Sequence, residues 1–134
     1  MRLEALAGSR AAEPLPFPIS GVSGRVVLDP IPLFVALAEA QQHGAPVEDL
    51  AAAFHESVAA TTSSAVTALC QARGISVVAL GGGVFQNARL TTSLRARLEA
   101  AHLKVLTPIT LPANDGGLSY GQAVVAAAVL HDHQ

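Results

Sequence analysis

The chain has 134 residues, of which 51% are apolar and 13% charged, with a formal net charge of −2. That length supports a compact core, and so apolar a composition excludes a disordered chain. The charge balance offers no basic patch for nucleic-acid phosphates, and no apolar run approaches the roughly 20 residues of a bilayer span, so neither nucleic acid nor membrane is an expected partner. The single cysteine, Cys70, has no internal disulfide partner, and no CxxC or Cys/His zinc spacing occurs. Met1–Ala5 lacks the apolar core of a secretory signal, so the expected location is the reducing cytoplasm.

Residues 1–8 read as a helix fragment. Pro14, Pro16, Pro18, Gly21 and Gly24 make residues 9–24 a loop, where Phe17 and Ile19 could pair as an edge strand, so that residues 1–24 form a loop-rich lead-in. The expected α/β lobe occupies 25–134. It begins with a short strand, Arg25–Leu28, stopped by Asp29-Pro30. Pro32, Leu33, Leu37 and Ala40 mark a helix ending at Gly44.

The spacing of Val47, Leu50, Phe54, Val58, Ala65, Val66 and Leu69 predicts a long helix over 47–73. Pro46 suits its start, Glu48 and Asp49 complement its dipole, and Gly74 stops it. Thr61–Ser64 lowers propensity in mid-helix and is expected to face another helix. The β-branched run Ile75–Leu80 predicts a strand buried on both faces. After a glycine loop, Leu90, Leu94 and Leu98 mark a helix over 88–101. A strand over 103–107, a loop over 108–112 and a last helix opened by Asn114-Asp115 follow, with Leu118, Gln122, Val125 and Val129 on one side. The order βαβα predicts a parallel strand pair with a right-handed crossover.

Two loops carry the chemistry. Gly81-Gly82-Gly83-Val84-Phe85-Gln86-Asn87 follows a strand and precedes a helix. Three glycines permit positive φ and a close backbone approach to a ligand, and successive N–H groups can form an anion nest. The string is neither GxGxxG nor a P-loop, so a plain strand-to-helix turn competes evenly. Asn87 is the candidate N-cap, and its amide is equally a candidate ligand contact. In the second loop, Asn114-Asp115-Gly116-Gly117, Asp115 is either a cap or an oxygen ligand to a metal.

Five histidines, at 43, 55, 102, 131 and 133, form no HxxxH or HExxH. His131 and His133 read as solvated. His55, near the apolar face of the long helix, reads as a buried, hydrogen-bonded residue before a catalytic one. Cys70 reads as an inert packing thiol. No GxSxG or Cys/His pairing supports a nucleophilic triad.

Taken together, the loops and their flanks resemble a known family. Val78–Asn87 is similar to the "SGGVFQN" segment, and Leu111–Gln122 to the "LPxNDGGLALGQ" segment, of the HypF carbamoyltransferases of [NiFe]-hydrogenase maturation. Arg25–Pro30 with Pro32-Leu33, Ala53-Phe54-His55 and Met1–Ala7 resemble upstream stretches of the same region.

The resemblance implies a partial actin/Hsp70/sugar-kinase-like (ASKHA) lobe with a parallel βαβα core and a long packing helix. It also implies kinship with the tRNA threonylcarbamoyl transferases. By the match, Gly81, Gly82, Gly83 and Asn87 would contact ATP or carbamoyl-adenylate, and Asp115 would complete a divalent metal site of zinc, iron or magnesium. The acceptor would be the C-terminal cysteine thiolate of a HypE-type partner. Gly81 stands where the family usually has serine. The family's HxxxH metal histidines and its upstream domains have no counterpart in this sequence. Residues 1–134 are therefore expected to be one partial domain, a HypF-type fragment inactive alone that works with the upstream HypF domains. The alternative is a non-catalytic nucleotide-binding or docking module.

Overall fold

The computed structural model describes residues 2–22, 25–108 and 114–132. In chain order these form α1 (Arg2–Ala7), β1 (Ile19–Val22), β2 (Arg25–Leu28), α2 (Ile31–Gln42), α3 (Val47–Arg73), β3 (Val77–Ala79), a 3-10 turn (Gly83–Gln86), α4 (Ala88–Ala100), β4 (Lys104–Leu106), a second 3-10 turn (Asp115–Gly117) and α5 (Leu118–Asp132).

The long helix α3 has the predicted bounds. It ends at Gly74 in the left-handed region, with φ 65°, donating to Cys70 O and Gln71 O. Asp29 accepts the Ile31 N–H at 3.0 Å and starts α2, with a proline in the first turn. Ile19 pairs with Leu28 in an antiparallel β1–β2 hairpin. Phe17 stays outside it, and its carbonyl accepts the Thr61 hydroxyl at 3.0 Å. Thr61 thus meets the lead-in loop instead of another helix. Ser57 does the same, accepting the Leu15 N–H at 2.8 Å. Mid-helix hydroxyls pin the proline-rich segment onto α3.

β3 and β4 pair in parallel, Val78 opposite Val105. Leu90, Leu94 and Leu98 of α4 pack with Ala59 and Cys70 of α3 and with Leu80, Leu103 and Val105 into the main core. Burying each such leucine contributes about 1.5–3 kcal/mol. Cys70 is buried there, as a packing thiol should be. A second cluster joins Ala7 of α1 to Ala51 and Ala52 of α3, where small side chains let two backbones approach.

The strand expected over 75–80, buried on both faces, is corrected. It is three residues long; Val77 and Ala79 are exposed and only Val78 turns toward the core. Side chains alternate along a strand, and among the described residues Val78 and Val105 are the strand residues of this two-stranded sheet that pack into the core with α3 and α4. The loop expected at 108–112 falls mostly outside the described residues, as does His133. Every described side chain of α5 is exposed.

Candidate functional site

The glycine loop leaves the end of β3, where the Leu80 N–H donates to Leu106 O. Gly82 adopts φ 109° and ψ 159°, a conformation open essentially to glycine alone. The loop does not run straight into α4, as the sequence pattern implied. One 3-10 turn intervenes, held by Phe85 N–H to Gly82 O and Asn87 N–H to Val84 O, both 3.1 Å. Phe85 packs against the core and keys this turn in place. The Thr91 hydroxyl lies within 3.0 Å of the Phe85 and Asn87 carbonyls, tying the turn to the helix. Among the described residues no backbone carbonyl accepts the N–H groups of Gly81, Gly82, Gly83 or Val84. Those four N–H groups, and not the ones at the start of α4, are the donors this segment leaves without a backbone acceptor.

The α4 start is already satisfied. Asn87 caps it, accepting the Leu90 N–H on Oδ1 at 3.0 Å. Glu4 of α1 accepts the Ala88 and Arg89 N–H groups on Oε1 at 2.7 and 3.3 Å. The exchange is reciprocal, because Arg89 donates to Gly8 O and Arg10 O beyond the end of α1, at 2.8 and 2.6 Å. Negative charge meets one helix start and positive charge the other helix end.

Asn87 is also joined to His55, which is 3% exposed. His55 Nδ1 lies 2.7 Å from Ala51 O, and a carbonyl can only accept, so Nδ1 carries the proton. Asn87 Oδ1 faces the Leu90 donor, so its Nδ2 faces His55 and donates to Nε2 at 2.8 Å. His55 is thus the neutral Nδ1–H tautomer. The expected buried histidine is found, with a partner that spacing along the chain could not name.

Glu56, the next residue, gathers charge on the side facing α4. It accepts Ser93 Oγ at 2.7 Å, Arg97 at 3.2 Å and Arg89 at 3.3 Å. Burial pushes its carboxyl up, but hydrogen bonds from Ser93 and Arg97 and the charges of Arg89 and Arg97 outweigh this, leaving it below its ordinary 4.5. A cleft of about 640 Å³ beside this network is lined by Glu4, Arg10, Glu56, Arg89 and Ser93. Glu4 and Arg89 bond backbone groups, Arg89 and Glu56 bond each other, and Arg10 bonds Asp49, with Arg89 Nε the only buried side-chain polar atom left without a partner among the described residues, so the cleft reads as structural. Sequence reading missed this cluster. Its signal was the polar row Arg89, Ser93 and Arg97 at four-residue spacing beside the leucine stripe of α4.

The second loop lies beside the first. A Cβ built on Gly83 would sit 3.8 Å from Asn114 Cβ. Asn114, not Asp115, makes a side-chain cap, and it caps the 3-10 turn Asp115–Gly117 that precedes α5, accepting the Gly116 N–H on Oδ1 at 3.0 Å. Asp115 is exposed, and its carboxylate takes part in no hydrogen bond among the described residues. One carboxylate does not hold a metal, and no group of three histidine, cysteine, aspartate or glutamate side chains occurs among the described residues. No described helix is long and apolar enough to cross a membrane.

Comparison with known proteins agrees with this architecture. Residues 1–122 match the family described as carbamoyltransferase, Kae1-like domain, second subdomain. Carbamoyltransferase HypF of Rhodobacter capsulatus is 41% identical over 133 residues, which is 99% of this chain and 16% of that protein. A tRNA N6-adenosine threonylcarbamoyltransferase of Corynebacterium aurimucosum is 36% identical over 98 residues, covering 73% of this chain and 28% of that one. A crystal structure of full-length HypF in its phosphate- and nucleotide-bound form superposes with a TM-score of 0.87 at 32% identity, over 96% of this chain and 17% of that one. With a Kae1-like α/β fold and a family match over most of its length, the chain belongs to the HypF carbamoyltransferase family.

Proposed function

We propose that this chain forms one wall of the nucleotide cleft of a HypF-type carbamoyltransferase. In this reading Gly81, Gly82 and Gly83 present backbone N–H groups to the phosphate of ATP or carbamoyl-adenylate. The observation that carries it is the run of donors at Gly81–Val84 with no backbone acceptor among the described residues. The glycine conformation at Gly82 and the nearness of Asn114 support it. The phosphate- and nucleotide-bound HypF relative supplies the ligand class.

Asn87 keeps one amide hydrogen after bonding His55, and that hydrogen is its contact to the ligand. Asp115 would supply one oxygen to a divalent metal, zinc, iron or magnesium, whose other ligands would come from upstream HypF domains. Such a cation, when bound, neutralises phosphate charge. The thiolate of a HypE-type acceptor attacks the carbamoyl carbon, and the adenylate phosphate leaves. Backbone donors fixed before the reaction stabilise the charge that develops. The chain alone lacks the opposite wall of the cleft and catalyses no transfer.

Titrating ATP into the 15N-labelled chain tests the loop. The Gly81, Gly82 and Gly83 amide signals should shift saturably, while those of Ala88 and Arg89, already bonded to Glu4, hardly move. Shifts centred on Ala88–Leu90 with an unmoved glycine loop would sink the assignment. Robust carbamoyl transfer to a HypE-type acceptor by the chain alone would refute its incompleteness.

A further inference from the structure

We infer that His55 is a positioning residue for the glycine loop, acting through Asn87. The imidazole is anchored at one nitrogen and accepts at the other: Nδ1–H to Ala51 O at 2.7 Å, and Nε2 from Asn87 Nδ2 at 2.8 Å. Its ring orientation and tautomer are therefore both set by α3. The lone pair on Nε2 in turn fixes which end of the Asn87 amide faces inward.

That choice matters because Asn87 closes three contacts at once. Its Oδ1 holds the Leu90 N–H, its backbone N–H holds Val84 O in the 3-10 turn, and its carbonyl holds the Thr91 N–H. A reversed amide would put Nδ2 against the Leu90 donor and Oδ1 against the His55 lone pair, two repulsive contacts in place of two bonds. Asn87 is the hinge between the turn and α4, so locking its amide locks the path from Gly82 to Ala88. His55 itself touches no ligand in this scheme. The inference rests on Gly81–Gly83 being the nucleotide loop only for its effect on affinity; the positioning of the loop stands apart from that.

Two isosteric substitutions separate the two nitrogens. His55→Gln sets an amide oxygen near the place of Nε2 and keeps an acceptor for Asn87, losing the bond to Ala51 O. His55→Asn keeps a donor near Nδ1 and loses the acceptor. The Asn87 side-chain NH2 and the Gly82 and Gly83 amide signals should stay near wild type in His55→Gln and move in His55→Asn. ATP binding should weaken about tenfold in His55→Asn and within about twofold in His55→Gln, as for loss or retention of one part-buried hydrogen bond. Equal movement in both variants, or none in either, would reduce His55 to a packing residue.

A third measurement does not need either variant to fold. Asn87→Asp replaces the donor facing His55 with an acceptor, so Nε2 must take a proton to keep the bond. Its 15N resonance should pass from the unprotonated to the protonated range at neutral pH. An unchanged Nε2 resonance would overturn the direct link. If wild type binds no ATP, the nucleotide reading fails, while the amide and imidazole signals still decide the role of His55.

Discussion

Glu4 Oε1 accepts the Ala88 N–H at 2.7 Å, so a carboxylate from the first helix sits on the positive end of α4, 84 positions away in sequence. Asn87 covers the Leu90 donor of the same turn. The helix start that a strand–loop–helix pattern offers to phosphate is therefore closed from within. The N–H groups without a backbone acceptor among the described residues lie one 3-10 turn earlier, at Gly81–Val84.

Glu4→Ala should destabilise the chain by about 0.5–2 kcal/mol, the range for losing a charged N-terminal cap. The variant should also gain what the wild type lacks: added phosphate should raise its urea midpoint more than that of the wild type. Equal phosphate responses would show that Glu4 does not close an anion site.

Glu56 links α3 to α4 through Ser93, Arg89 and Arg97. Its carboxyl is held below 4.5 in the folded chain, whereas the unfolded chain titrates near the ordinary value. Between the two values the unfolded state binds more protons. The contribution is therefore complete above the ordinary value and drains away as pH falls through the folded one. Glu56→Gln should cost about 1–3 kcal/mol at pH 7, because it leaves two partly buried guanidinium groups without their counter-charge. Urea unfolding of both proteins should converge at the acid end of this window. A gap unchanged from pH 7 down past the carboxylate range would contradict the assignment.

Gly82 at φ 109° has open space where a Cβ would go, so a side chain there meets backbone strain and no clash. Gly82→Ala should cost about 1–3 kcal/mol. Asp115→Asn should stay within about 0.5 kcal/mol of wild type in the same assay, since the Asp115 carboxylate makes no hydrogen bond among the described residues. Thermal melts of the two variants side by side check the contrast. A neutral Gly82→Ala would mean the loop relaxes out of this conformation at little cost.

Periodicity made the helices legible. The apolar spacing and the Pro46 and Gly74 punctuation placed α3, and Leu90, Leu94 and Leu98 placed α4, because each pattern is local to one element. Asn87 was legible as a cap for the same reason. His55 to Asn87, Glu4 to Ala88 and Glu56 to Arg89 were not, because each joins residues 32 or more positions apart. The overlong β3 has a physical cause too. A run of β-branched residues reports a preference for extended backbone, while its length here is set by β4, which offers only three partners. Gly81–Gly83 and Asn114 were separately visible as turns, and only the structure brings them side by side, with a Cβ at Gly83 falling 3.8 Å from Asn114 Cβ.

α5 is the last consequence. All its described side chains are exposed, with Val125 at 60% and Leu130 at 68%. Between Leu118 and Leu130 it carries no Asp, Glu, Lys or Arg, so no charged face turns to water. So much apolar surface favours association in water. The isolated chain should therefore show a sedimentation coefficient that rises with concentration. Val125→Lys with Val129→Lys should suppress that rise while keeping stability within about 1 kcal/mol, since neither side chain is buried in the core. A wild-type chain that stays monomeric across the concentration range would show that α5 has settled on its own chain in solution, and the double variant would then destabilise the protein instead.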